Sequence, residues 1–181
     1  MKSWILIVFF VVSPLLQADA SQKLYDLYQR ELYSQGCDYG YQVFTQNKRN
    51  EAFVSLLGFS CLKADHIDRL SPVISALHAT PDARANSAYF SLLLMQKKLL
   101  AQALYDNKPI VNLKFPTSAH LLSKVFELYL KNPKPSDIVK EYADPLNPRQ
   151  SYKLYTTESW GRKSIAIDEY YDKILTLHHV Y

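Results

Sequence analysis

Cys37 and Cys61 are the only two cysteines in the chain, and they lie at nearly equal distances, about twelve residues each way, from the polar stretch Asn47-Lys48-Arg49-Asn50. Apolar runs flank that stretch: Tyr41-Gln42-Val43-Phe44 before it and Ala52-Phe53-Val54-Ser55-Leu56-Leu57 after it. Two antiparallel helices joined at such a turn bring equidistant residues side by side, so the spacing puts both sulfurs within bridging range. A disulfide there would staple an αα-hairpin near its open end and add about 3 kcal/mol through the chain entropy it removes. Two cysteines this far apart make neither a CxxC redox pair nor a four-cysteine zinc site. A catalytic thiol would need a helix start or a strongly basic setting to depress its pKa, and neither surrounds these cysteines.

The bond requires an oxidising compartment, and the amino terminus supplies the route to one. Lys2 is followed by an apolar stretch from Trp4 to Leu16, interrupted only by Ser13 and Pro14, and then by Ala18-Asp19-Ala20, an A-x-A cleavage site. This pattern reads as a signal peptide over residues 1–20, with a mature chain beginning at Ser21. The apolar stretch is too short to span a bilayer, and no later segment is long and apolar enough to do so. No cysteine near the cleavage site offers a lipidation point. The chain is therefore expected in the periplasm or secreted, with no transmembrane segment after signal cleavage.

Composition narrows the chemistry. Gly36, Gly40, Gly58 and Gly161 are the only glycines, too scattered for a dinucleotide-binding or Walker A loop, both of which cluster glycines against phosphate. No cofactor is implied. The net charge of +4 is modest and mixed in sign. In an exported protein it suits an acidic protein or an anionic envelope polymer, and nucleic acid is not an expected partner.

Along the mature chain, Leu24, Leu27, Tyr28 and Leu32 fall at helical spacing, which predicts a helix over 21–35 closed by Gly36. The two arms of the stapled hairpin follow at 38–48 and 50–63. Asp65 is placed to cap a short helix through Leu70, and Ser71-Pro72 starts another turn to His78. Thr80-Pro81-Asp82 opens the strongest helix, to Tyr105, with an apolar stripe wide enough for a central position. Thr117 is expected to cap a helix ending at Lys131. The four prolines at 133, 135, 145 and 148 make 132–148 a connector, with one helical turn over 136–142. Beyond it the period changes: 151–156 and 163–168 are β-prone runs around a turn at 158–162, a β-hairpin. The segment from Glu169 to Tyr181 fits a third strand or a short helix. The expected class is mainly α, antiparallel helical hairpins in a repeat-like array with a C-terminal β-hairpin. It forms a single domain over 21–181, divided into a scaffold (21–131), a connector (132–148) and a hairpin with tail (149–181).

Gly36-Cys37-Asp38-Tyr39-Gly40 and Leu57-Gly58-x-x-Cys61 resemble fragments of the cysteine-containing Sel1-like repeats, relatives of tetratricopeptide repeats in which disulfides tie paired helices. The resemblance covers about thirty residues and implies a protein-binding role. The cysteine spacing does not recur, and no second glycine pair follows. The stretch Gly58 to Asp65, with Ala83-Arg84-Ala85-Asn86, is similar to small exported proteins of Campylobacterota, which implies export and no particular activity.

Chemistry-bearing groups are few. No GxSxG elbow, HExxH helix or other nucleophile motif occurs, so no enzyme activity is expected and no catalytic residue is assigned. Lys63, Asp65, His66, Asp68 and Arg69 form a dense ionisable cluster, in which Asp65 and Asp68 sit where carboxylates stabilise a helix start. An envelope hydrolase acting on peptidoglycan or peptides would require a cleft joining His66 or His120 to a carboxylate distant in sequence. His178 and His179 are metal-ligand types, but neighbouring side chains on a strand point to opposite faces and on a helix diverge by about 100°. Tyrosines gather at the C-terminal end among basic side chains. Tyr152, Lys153, Tyr155, Trp160, Arg162, Lys163, Tyr170 and Tyr171 are the candidate interaction surface, because rigid aromatic faces beside cations stack on sugars, peptides or a partner's surface. The expected role is an exported scaffold that binds a protein or envelope polymer.

Overall fold

The computed structural model describes residues 14–110 and 113–181, with side chains from Asp19 onward. Residues 1–13, which hold the basic end and most of the apolar stretch of the expected leader, lie outside the described residues. Helix α1 (Pro14–Gln29) runs without a break through the expected cleavage site at Ala20. No helix among the described residues is long and apolar enough to cross a membrane.

α1 is closed by Glu31 and not, as the sequence suggests, by Gly36. Glu31 has φ 58°, and the Leu32 and Glu31 N–H groups return to the carbonyls of Leu27 and Tyr28, the paired bonds of a Schellman cap. Gly36 instead lies buried inside α2 (Tyr33–Gln42), on the same face as Gly40. That face packs on α4 (Glu51–Lys63), and a Cβ on Gly40 would stand 2.5 Å from Leu57 Cδ1. The glycines here serve close helix approach, not termination.

A short α3 (Phe44–Asn47) carries the chain round to Asn50, whose side chain caps α4 by accepting from the Phe53 N–H at 3.2 Å. The hairpin is antiparallel as the spacing requires, and Cys37 and Cys61 are bonded across it at a Cα separation of 4.7 Å. Both cysteines are fully buried.

Asp65 does not begin the next helix. It ends α4 as a second Schellman residue, at φ 62°, with the His66 N–H on the Cys61 carbonyl at 2.8 Å and the Asp65 N–H on Leu62 at 3.2 Å. A 3-10 turn (Ile67–Arg69) and α5 (Leu70–Ala76) then lead to α6 (Pro81–Tyr105), capped by Thr80 with Pro81 in its first turn, as read from the sequence. Glu51 ties the start of α4 to this loop: its carboxylate accepts the N–H groups of His78, Ala79 and Thr80 and the Thr80 hydroxyl. Those bonds, led by the one from Ala79, hold the carboxyl down at about 2. α7 (Leu121–Lys131) is capped by His120 and not by Thr117, with His120 Nδ1 accepting from the Leu122 N–H at 3.2 Å.

The connector is not wholly irregular. Where a helical turn is expected, β1 (Lys140–Ala143) forms, because Lys140 and Tyr142 alternate inward with Glu141 and Ala143 outward. It pairs with β2 (Gln150–Ser159), which forms the expected hairpin with β3 (Arg162–Tyr171). The hairpin turn tightens to Trp160-Gly161, both at positive φ, a pair whose twist matches that of the flanking strands. A second such turn at Asp172-Lys173 reverses the chain into β4 (Ile174–Val180), so the undecided tail is a strand. The sheet is antiparallel in the order β1-β2-β3-β4, and the architecture is helices followed by a four-stranded sheet, not a lone hairpin. One continuous set of buried side chains joins the two parts, from Leu24 and Phe53 through Phe90, Leu100 and Phe126 to Tyr152, Leu154, Ile167 and Tyr181.

Candidate functional site

Strand alternation divides the candidate surface residues. Tyr152 is on the inner face and only 1% exposed, so it belongs to the core and not to an interaction surface. Its hydroxyl donates to Asp144 at 2.6 Å, and the Lys124 ammonium reaches the same carboxylate at 2.8 Å and the Tyr152 oxygen at 3.0 Å. Burial drives Asp144 upward, yet the Lys124 and Tyr152 bonds prevail and hold it at about 2. Burial and that carboxylate push the Tyr152 phenol to about 12.

The outer face carries an ordered row of charge. Strand register aligns Glu141 with Lys153, Lys153 with Asp168 and Asp168 with His178, one residue from each strand. Lys153 meets Glu141 at 3.1 Å, and His178 Nδ1 meets Asp168 at 2.6 Å. The Tyr155 hydroxyl donates to Asp168 at 3.2 Å, and Tyr170 lies under the Lys153 ammonium, 5.1 Å from ring centre to nitrogen. Arg149 covers Tyr171 at 4.4 Å and pairs with Asp172. Lys153, Tyr155, Tyr170 and Tyr171 thus engage neighbours on their own sheet.

Trp160, Arg162 and Lys163 differ. Trp160 stands fully exposed at the β2–β3 tip. Arg162 and Lys163 form no ion pair among the described residues, and the Lys163 ammonium sits 5.9 Å from the Tyr105 ring centre.

Behind the tip, the 3-10 turn, α6, the start of β3 and the end of β4 enclose a cleft of about 550 Å³. Arg69, Lys97, Lys98, Arg162 and Lys163 line it, with Asp65 and Asp68 as its acidic side chains. Asp68 does not cap a helix. It bridges two ammonium groups, Lys97 at 2.6 Å and Lys98 at 2.7 Å. Arg69 pairs with Asp38 across the hairpin. Lys97 is 7% exposed, and its burial lowers its pKa against the pull of Asp68, with Lys98 and Arg162 adding repulsion. His66 lines the same cleft, and burial lowers its pKa too. The sequence signal for this wall is the Lys97-Lys98 doublet, set between the apolar runs Leu92 to Met95 and Leu99-Leu100 of α6.

His178 and His179 point to opposite faces of β4, as adjacent strand residues must, so the two imidazoles do not converge on one point. Among the described residues no group of three or more His, Cys, Asp or Glu side chains is placed to hold a metal. His179 turns toward the helices, where its Nδ1 lies 2.9 and 3.0 Å from the two Asp65 oxygens. Asp65 and His120 line one cleft with His179, about 480 Å³, walled by Tyr28, Phe59, Leu62 and Tyr89. The Asp65 bond raises the His179 pKa, while burial lowers His120 to about 4 despite the same carboxylate. Tyr181 stacks on His179, ring planes 6° apart.

Compared with protein-family models, curated proteins and solved structures, the chain matches none.

Proposed function

We propose that this chain is an exported interaction module whose helical scaffold, repeat-like in its stapled α2–α4 hairpin, presents the β2–β3 tip to an anionic protein or envelope polymer. The observation that carries this reading is Trp160: a fully exposed indole on a tight two-residue turn, next to two cations that have no ion-pair partner among the described residues. A large apolar side chain held in water gains about 1.5–3 kcal/mol when a partner covers it. A tight turn limits the entropy lost on docking. Arg162 and Lys163 supply the charge that selects an acidic surface. The resemblance to Sel1-like repeats supports a protein-binding role, and the intramolecular disulfide fits an oxidising compartment.

The test places a photocrosslinking side chain at Ser159 in the exporting cell, with a control at Ser75 on the helical scaffold. A discrete adduct at the tip that disappears in Trp160→Ala supports the reading. Equal labelling at both positions, or an adduct indifferent to Trp160→Ala, overturns it.

One observation favours a second reading, the envelope hydrolase: the Asp65–His179 pair shares a cleft with His120, the long-range juxtaposition such an enzyme requires. With Nδ1 held by Asp65, His179 would use Nε2 to draw a proton from water as it attacks an ester or amide carbonyl, and would return that proton to the leaving alcohol or amine as the C–O or C–N bond breaks. Among the described residues no Ser, Thr or Cys lines this cleft, and water would serve as the nucleophile. Hydrolysis of peptidoglycan or peptides that is lost in His179→Gln would support this reading, and activity equal to that of the variant would dismiss it.

A further inference from the structure

The basic cleft behind the tip carries an inference that stands whether or not Trp160 holds a partner. We propose that the cleft walled by Arg69, Lys97, Lys98, Arg162 and Lys163 is a binding site for a phosphate group bearing at least two negative charges. Its cations come from three separate segments, the 3-10 turn, α6 and β3, so their donors converge from different directions. A planar carboxylate accepts along two parallel directions, whereas a tetrahedral phosphate offers oxygens to donors on several sides at once.

Charge balance selects the valence of the ligand. Asp68 already serves Lys97 and Lys98, Arg69 has Asp38, and Asp65 is turned to His179, which cancels its charge when the imidazole is protonated. The unmatched charge is that of Arg162 and Lys163, together with the second ammonium that shares Asp68. A monoanion competes weakly with Asp68 for the lysines. A dianion or larger can bridge the lysine pair of α6 to the Arg162-Lys163 pair of β3, and it offsets the repulsion from Lys98 and Arg162 that adds to the burial of Lys97. The cleft has room for a pyrophosphate or a larger phosphate monoester, and Tyr105 and Ala101 give it a less polar wall on which the rest of a ligand can rest.

Calorimetric titration of the full disulfide-bonded chain with inorganic pyrophosphate is the test, with glucose 6-phosphate and citrate as parallel arms. Saturable pyrophosphate binding is expected, with affinity falling about tenfold or more in Arg162→Gln/Lys163→Gln and in Lys98→Gln, all changes at the protein surface. Affinity should also decline steeply with added salt and stay within about twofold in Trp160→Ala, which separates this site from the tip. Binding of glucose 6-phosphate as tightly as pyrophosphate assigns the site to a phosphate carried on a larger molecule; tighter pyrophosphate binding assigns it to the free anion. No saturable heat up to about 10 mM pyrophosphate, citrate binding as well as the phosphates, or affinity unchanged in the glutamine variants would each overturn the proposal.

Discussion

His179 on the last strand and Asp65 at the close of α4 are 114 residues apart in sequence, and Nδ1 of the imidazole lies 2.9 Å from the nearer Asp65 oxygen. The pair clasps the sheet edge to the helices. It is set up by a local backbone event: Asp65 occupies the left-handed position that ends α4, which turns its carboxylate toward β4 instead of onto the next helix start.

Two histidines in this cleft give opposing pH dependences. Asp65 raises the folded pKa of His179 above its usual value of 6.5, so this clasp contributes fully below pH 6.5 and fades as pH rises through the folded pKa. His120 is lowered to about 4, so its contribution is present above 6.5 and is lost as pH falls from there through 4. Protonation would also remove the Nδ1 lone pair that caps α7. Melting temperature followed from pH 8 to pH 4 should fall on the acid side, and His120→Asn, which keeps a capping oxygen, should flatten that fall. In Asp65→Asn the alkaline-side loss should shrink. A His120→Asn profile that overlays the wild type would show that this imidazole does not set acid stability.

The Cys37–Cys61 bond closes a loop with a sequence separation of 24. Reduction should lower stability to denaturant by about 3 kcal/mol and, with the folded state retained, steepen the transition, because the uncrosslinked unfolded chain exposes more surface. Intact mass under non-reducing and reducing conditions checks the bond itself, through a difference of two hydrogens. If export proceeds as the leader suggests, the mature mass should begin at Ser21, and retention of residues 1–20 would count against the exported reading.

What the sequence made legible was what depends on local period and spacing. The antiparallel cysteine hairpin, the Thr80-Pro81 start of α6 and the β2–β3 pairing all follow from neighbours or from equal chain lengths about a turn. The structure departs from the local signal where a strongly marked residue serves another purpose. Gly36 reads as a terminator, but α2 needs it and Gly40 for contact with α4, and Glu31 accepts the strained cap position instead. Asp65 reads as an N-cap, yet it closes the preceding helix, and β1 hides among prolines because its inward pair, Lys140 and Tyr142, shows only two periods. The basic cleft joins Lys97-Lys98 to Arg162-Lys163, doublets that only the packing of β3 on α6 brings together. Single-sequence spacing has no handle on such a meeting.

Two tyrosine hydroxyls provide a matched test of buried polarity. Tyr181 is 6% exposed, and its hydroxyl has no hydrogen-bond partner among the described residues, while burial drives its pKa far upward. Tyr152 donates to an Asp144 carboxylate that is 2% exposed. Removing an unpartnered buried hydroxyl relieves a desolvation cost, so Tyr181→Phe should leave stability unchanged or raise it by about 1 kcal/mol. Removing the Tyr152 donor leaves a buried carboxylate with Lys124 and the backbone N–H groups of Leu146 and Asn147, so Tyr152→Phe should cost about 1–3 kcal/mol. The two changes delete the same atom from the same residue type, so volume and transfer effects cancel in the comparison. Chemical denaturation of both variants at pH 7 measures the difference. Equal losses would show that the Tyr181 hydroxyl is hydrogen-bonded in solution, by ordered water or by a small movement of the β4 end.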